Sequence, residues 1–153
     1  MVRIRKKNHR GAAAVEMAIV LPLLLMLTLG AIRYGWLFLK AQQITNAARY
    51  ATRIAIRADA TVDEVTGAID ALFDPSRANI SGHTVKFYKT EIDAGGAEIL
   101  TEIANVSEDV GVPITVEITV PHENVDIMVV PFMELEPDGW CLGASTTMTK
   151  EGP

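Results

Sequence analysis

A single cysteine, Cys141, excludes an intramolecular disulfide framework, so whatever folds here is held by packing and hydrogen bonds. Free cysteine is usually a small buried packing residue, and burial is the expectation for Cys141. Histidine is scarce. His9, His83 and His122 lie far apart in the chain, none with flanking residues at metal-ligand spacing, so no zinc site is legible. Nor does His122 with Cys141 form a recognisable nucleophilic pair. Gly95-Gly96 reads as a turn, and no glycine-rich phosphate loop occurs. Repeats and low-complexity tracts are absent as well. Proline is missing between Pro22 and Pro75, which leaves a long stretch open to a single helix.

Charge is just as unevenly supplied. The first eleven residues have no acid and carry Arg3, Arg5, Lys6, Lys7 and Arg10. From Ala12 to Arg57 the one acid is Glu16, set against five bases. From Ala58 onward eighteen acids face only Arg77, Lys86, Lys89 and Lys150, a charge of −14. The net −5 hides this layout. A strongly acidic domain repels phosphates, which argues against nucleic acid as a partner. The acids Glu91, Asp93, Glu98, Glu102, Glu108 and Asp109 are scattered, without the spacing of a calcium loop, and read as a solvated surface.

What is present in quantity is apolar helix. Ala12 to Ile32 is 21 residues long, ~31 Å at the helical rise and enough to cross a bilayer core. Met17 to Ile32 is uncharged and holds nine Leu, Ile or Val residues, which favour insertion by about 3 to 5 kcal/mol. Glu16 lies near the edge of the span, where a charge costs less than at the midplane. Arg33 is expected to snorkel, and Tyr34 and Trp36 to sit in an interfacial belt. The basic leader places the N-terminus in the cytoplasm. A secretory signal peptide with a small-x-small site at Thr28-x-Gly30 is the competing reading, but the apolar run is longer than such segments need.

The junction Arg10-Gly11-Ala12-Ala13-Ala14-Val15-Glu16, followed by apolar residues and Pro22, resembles the processing site of type IV prepilins. The wider string RGAAAVEMAIVLPLLL is similar to the TadE-like family of the tight-adherence pilus apparatus. The likeness covers about the first 50 residues. Leu142 to Met148 is weakly similar to that family's closing strand, and the middle of the chain carries no matching motif. The resemblance implies cleavage between Gly11 and Ala12 by a prepilin peptidase. It implies that Glu16 sets assembly register by meeting the N-terminal amine of a neighbouring subunit, and that Pro22 kinks the helix. It further implies a single-pass protein of the bacterial inner membrane, with other pilin-like subunits and pilus assembly proteins as partners. No cofactor, metal or catalytic residue is expected, and the chain reads as a peptidase substrate rather than an enzyme. A generic signal-anchored envelope protein with a ligand- or partner-binding exported domain is the alternative; a membrane-tethered hydrolase lacks a catalytic constellation.

The expected organisation is a leader over residues 1–11, a membrane span over 12–32, an exported continuation of the same helix over 33–57, and an acidic α+β domain over 58–153. Tyr34, Leu37, Ala41, Ile44, Ala48, Ala51 and Ala55 step by three and four, an alanine-rich seam that needs a covering partner. Arg49, Arg53 and Arg57 form a basic stripe beside it. Thr61 with Glu64 reads as a capping box opening a short helix that Pro75 ends. Val85–Lys89 reads as a strand, residues 93–96 as a turn, and the alternation from Val112 to Val120 as the clearest strand, with Pro113 and Pro121 marking a sheet edge or the strand limits. Met128 to Phe132 is apolar and ambiguous, and Trp140 to Thr149 reads as a last strand. The fold class that follows is α+β: a long N-terminal membrane helix, a small helix and an antiparallel sheet, pilin-like in plan.

Overall fold

The computed structural model describes residues 10–93, 95–106, 111–125 and 139–150. The leader residues 1–9, the acids Glu108 and Asp109, and the apolar run Met128 to Phe132 lie outside them.

One helix, α1 (Arg10–Ala55), runs 46 residues without a break, a length of ~69 Å. It starts and stops two residues earlier than the sequence suggests; Ile56 and Arg57 form the turn that follows. Pro22 lies inside α1, and the helix continues through it as one element. Thr28, also mid-span, returns its hydroxyl to the carbonyls of Leu24 (2.7 Å) and Leu25 (3.0 Å), so it brings no unpaired donor into an apolar setting.

The remainder packs on the upper half of α1. Helix α2 (Val62–Phe73) is capped by Thr61, whose hydroxyl accepts from the Glu64 amide at 3.3 Å. The reciprocal half of the capping box is replaced, because the Glu64 carboxylate instead accepts from Arg57 at 2.9 Å. Val65, Ile69 and Phe73 face inward from α2. Asp74 ends the helix, and its carboxylate accepts from the Ser76 hydroxyl and amide, which hold its pKa below the ordinary aspartate value.

Four antiparallel strands follow: β1 (Thr84–Ile92), β2 (Glu98–Glu102), β3 (Pro113–Pro121) and β4 (Cys141–Thr149), in the order β2-β1-β3-β4. The tight β1–β2 turn needs a left-handed residue, which Gly96 supplies at φ +82; its amide donates to the Asp93 carbonyl at 2.8 Å. β2 has no counterpart in the sequence reading. Its five residues are all exposed, so it carries no apolar alternation, and its acids Glu98 and Glu102 read as loop charges. β3 is an interior strand, so Pro113 and Pro121 mark its limits and not a sheet edge.

The core lies between α1 and one face of this sheet. Ile114, Val116, Ile118 and Val120 of β3 are fully buried, as strand alternation demands of the face under a helix. Against them stand Ile44, Ala48, Ala51 and Ala55 of α1. Alanines lower the helix surface and let its backbone lie close to the sheet. The other sheet face is polar, and there the Thr115 and Thr147 hydroxyls meet at 2.7 Å across β3 and β4. Cys141 is exposed, against expectation. Alternation along β4 assigns Leu142 to the core and turns its neighbour outward.

Candidate functional site

The functional features fall on α1, and they divide at about Gly30. Below it the helix is bare. Val15, Met17, Ile19 and every large apolar residue through Leu27 are exposed, and the most apolar window has a mean hydropathy of 2.3 with only 6% of it buried. A soluble protein would cover such a surface, since leaving each of these side chains in water costs about 1.5–3 kcal/mol. The length and composition fit a single-pass membrane anchor.

Gly11 and Ala12, the junction expected from the sequence, fall at the start of this bare half. Both lie in the first turn of α1. A Cβ at Gly11 would meet nothing within 4 Å, so packing does not explain the glycine. The first turn has amides with no helical partner and opens readily. A glycine there weakens the turn by roughly 0.5–1 kcal/mol relative to alanine. Glu16 stands one helical turn above Ala12, ~6 Å along the axis, and is exposed. No hydrogen bond or ion pair joins its side chain to another described residue. The four residues of the junction and span, Gly11, Ala12, Glu16 and Pro22, thus share one helix, with Glu16 directed to the surroundings of the chain.

Above Gly30 the helix is docked. Its buried stripe runs Gly30, Arg33, Leu37, Lys40, Ile44, Ala47 and Ala48 to Ala55. The sequence-based seam began at Tyr34, which is 55% exposed; the true stripe passes through Arg33 and Lys40 instead. Arg33 is only 5% exposed and Lys40 only 3%, so Arg33 turns into the domain and does not snorkel. The Lys40 ammonium donates to the carbonyls of Ala78 and, at 3.4 Å, Asn79, and lies 4.9 Å above the Trp36 ring. Trp36 in turn donates to the Val125 carbonyl at 2.9 Å, so its indole anchors the domain and is not free for an interfacial belt.

Two further ties close the upper end. Thr52, fully buried, donates to the Ala48 carbonyl at 2.7 Å and to Thr146 of β4 at 3.2 Å. Lys150 is 2% exposed, and its ammonium donates to the Val106 carbonyl and to Arg57 at 3.0 Å. The cation sits in the turn just past the last residue of α1, where it satisfies the Arg57 carbonyl and meets the negative end of the helix dipole. Neither lysine stood out in the sequence. Lys40 did have a signal, because it falls three residues after Leu37 and four before Ile44, the spacing of the seam itself. The stripe of Arg49, Arg53 and Arg57 is solvent-exposed, and Arg57 pairs with Glu64 at 2.9 Å and Asp59 at 3.5 Å.

The histidines occupy separate places. His83 faces Asp70 at 3.2 Å and the edge of Phe73, whereas His122 lies beside Trp140. Among the described residues no group of three or more His, Cys, Asp or Glu is arranged to hold a metal ion. The acids Glu91 and Glu102 pair with Lys89 (2.9 Å) and Lys86 (3.6 Å).

No curated protein and no solved structure matches the chain. Residues 11–53 match the family model described as TadE-like protein. The matched stretch opens at Gly11 and stops two residues short of the end of α1, so it covers the bare and the docked halves of the helix and none of the sheet. By that match the chain is similar to TadE-like proteins over its long helix.

Proposed function

We propose that this chain is a minor pilin or pseudopilin of a tight-adherence pilus, made as a precursor, cut between Gly11 and Ala12 by a prepilin peptidase, and used in pilus assembly. The observation that carries the reading is the coincidence of the TadE-like match over residues 11–53 with the Gly11–Ala12–Glu16 spacing at the foot of a bare apolar helix. Cleavage there removes the five basic residues of the leader and creates an amine on Ala12. Glu16 sits one turn above that amine in a low-dielectric setting, where a carboxylate needs a cationic partner. The amine of a neighbouring subunit supplies one, and pairing at a fixed axial offset sets register between helices.

The role is structural, with the chain as substrate of the peptidase. The leader faces the cytoplasm of a bacterial inner membrane and the domain faces outward, following the basic bias of the N-terminus. Pro22 frees one mid-span carbonyl and gives the helix a place to bend as it packs among other pilin-like helices.

The test is the N-terminus and intact mass of the protein from membranes with and without the peptidase, beside a Gly11→Ala variant. A peptidase-dependent chain starting at Ala12, lost in the variant, is the expected result. A chain that keeps its leader under both conditions refutes the reading and leaves a plain signal-anchored protein. A cut near Gly30 refutes it too, and would release a soluble domain.

A further inference from the structure

The lower boundary of the domain overlaps the upper end of the membrane span. Counted from Glu16 at the edge of the span, a hydrocarbon core of ~30 Å takes up about 20 helical residues and ends near Gly35. The domain already covers one side of α1 from Gly30. Between Met17 and Ala48 the charged residues are Arg33 and Lys40, and both are buried by that covering. The opposite side therefore presents no charge until well past the span. It continues as Ile32, Tyr34, Phe38 and Leu39, with Phe38 67% and Leu39 48% exposed, and becomes polar at Gln42. Beside this surface an apolar groove opens between α1 and the start of β4, lined by Tyr34, Leu37, Phe38, Ala41, Trp140 and Leu142.

We infer that this groove and the Ile32–Leu39 surface are occupied by lipid, so that the base of the domain is seated in the bilayer interface and does not stand clear on a helical stalk. The inference rests on the membrane-anchor part of the proposed function. Three observations carry it. The groove lies at the axial level where the hydrocarbon core gives way to headgroups. It is continuous with a helix surface that lipid must cover. Its rim combines Tyr34, Phe38 and Trp140, the aromatic types that suit a zone apolar on one side and wet on the other. Burial of Arg33 and Lys40 completes the arrangement. Had either cation pointed outward at this level, it would have drawn the boundary down to Ile32; turned into the domain and hydrogen-bonded there, Lys40 leaves the lipid-facing side uncharged.

The test is depth measurement by spin labelling of the full chain in phosphatidylcholine–phosphatidylglycerol vesicles. Cys141→Ser provides the background, and single labels go to Leu24→Cys in the span, Phe38→Cys in the groove and Gly67→Cys on α2, where a side chain has open space. Collision with oxygen, which concentrates in lipid, is compared with collision with a water-soluble nickel chelate. The expected oxygen-to-nickel ratio at Phe38 is several-fold above that at Gly67 and below that at Leu24, unchanged as protein is diluted into lipid. A Phe38 ratio equal to that at Gly67, with Leu24 still shielded, overturns the seating while leaving the anchor intact. Spin–spin broadening at Phe38 that falls with dilution also overturns it, because a second copy then fills the groove. Nickel access at Leu24 would remove the anchor itself.

Discussion

Replacing Lys150 with methionine isolates what a buried cation contributes to holding α1 on the sheet. Methionine keeps most of the stem volume and apolar burial, so the change removes the ammonium and little else. Two hydrogen bonds disappear, to Val106 and Arg57. The Arg57 carbonyl retains the Ala60 amide at 3.3 Å, so only one of the two acceptors loses a strong partner outright. A hydrogen bond to a charged group contributes about 1.5–3 kcal/mol net, and a cation at a helix C-terminus about 0.3–1 kcal/mol, more when partly buried. Against these stands the desolvation of the ammonium, several kcal/mol before its partners compensate. The two charge-assisted hydrogen bonds and the nearby end of α1 outweigh that cost, and the balance comes out at about 2 kcal/mol of destabilisation.

For a domain of this size that corresponds to a fall in Tm of roughly 10 °C. Urea titration in detergent micelles measures it directly. Trp36 and Trp140 both lie where α1 meets the domain, so their fluorescence reports the separation. A midpoint shift at unchanged slope reads as stability alone. If Lys150→Met is neutral or stabilising, desolvation outweighs the contacts, and Lys150 is a tolerated burial and not a cap on α1.

Thr61→Ala removes the cap of α2, and the long 3.3 Å bond puts the cost at the lower end of the ~0.5–2 kcal/mol range, measured by the same titration. Ala48→Leu places three extra carbons at a fully buried position of α1 in the core. A fully buried alanine has no space to yield, so the expected loss is about 1–3 kcal/mol; a variant as stable as the parent would show that the seam is loosely packed.

Most of the fold is legible because its signals are periodic. The unbroken run between Pro22 and Pro75 marks α1, the Thr61 and Glu64 pair marks α2, and the alternation of Ile114, Val116, Ile118 and Val120 marks the strand that forms the floor of the core. What escapes the sequence escapes for physical reasons. β2 pairs along one edge only and is exposed over its whole length, so no apolar alternation announces it. Cys141 follows the phase of β4 and not the average habit of cysteine. Arg33 and Lys40 sit at seam positions, but a charge at a seam reads as its interruption; for Lys40 the carbonyls that accept it come from a loop 38 residues further on. The junction residues are legible in a different sense. Among the described residues nothing packs on Gly11 or pairs with Glu16, so the described fold gives no reason for their identity.

Since α1 runs from its bare half into the domain as one helix, the azimuth of Glu16 relative to the sheet is fixed by the count of residues between them. Buried contacts begin at Gly30, and insertions between Leu27 and Thr28 leave them intact while changing that count. One added alanine rotates the lower helix by ~100° against the domain and lengthens it by ~1.5 Å. Seven added alanines return the phase to within ~20° but lengthen the span by ~10 Å. If assembly requires Glu16 and the domain surface to meet neighbouring subunits together, the single insertion abolishes pilus formation. Four alanines, adding ~6 Å with a ~40° error, restore part of it by keeping the faces nearly aligned. Electron microscopy of pili in a strain carrying each variant separates the cases, with membrane levels of the protein as the control for folding. Equal piliation from the one- and four-residue insertions would mean that the domain acts independently of the helix phase, and that the docked upper half of α1 serves stability alone.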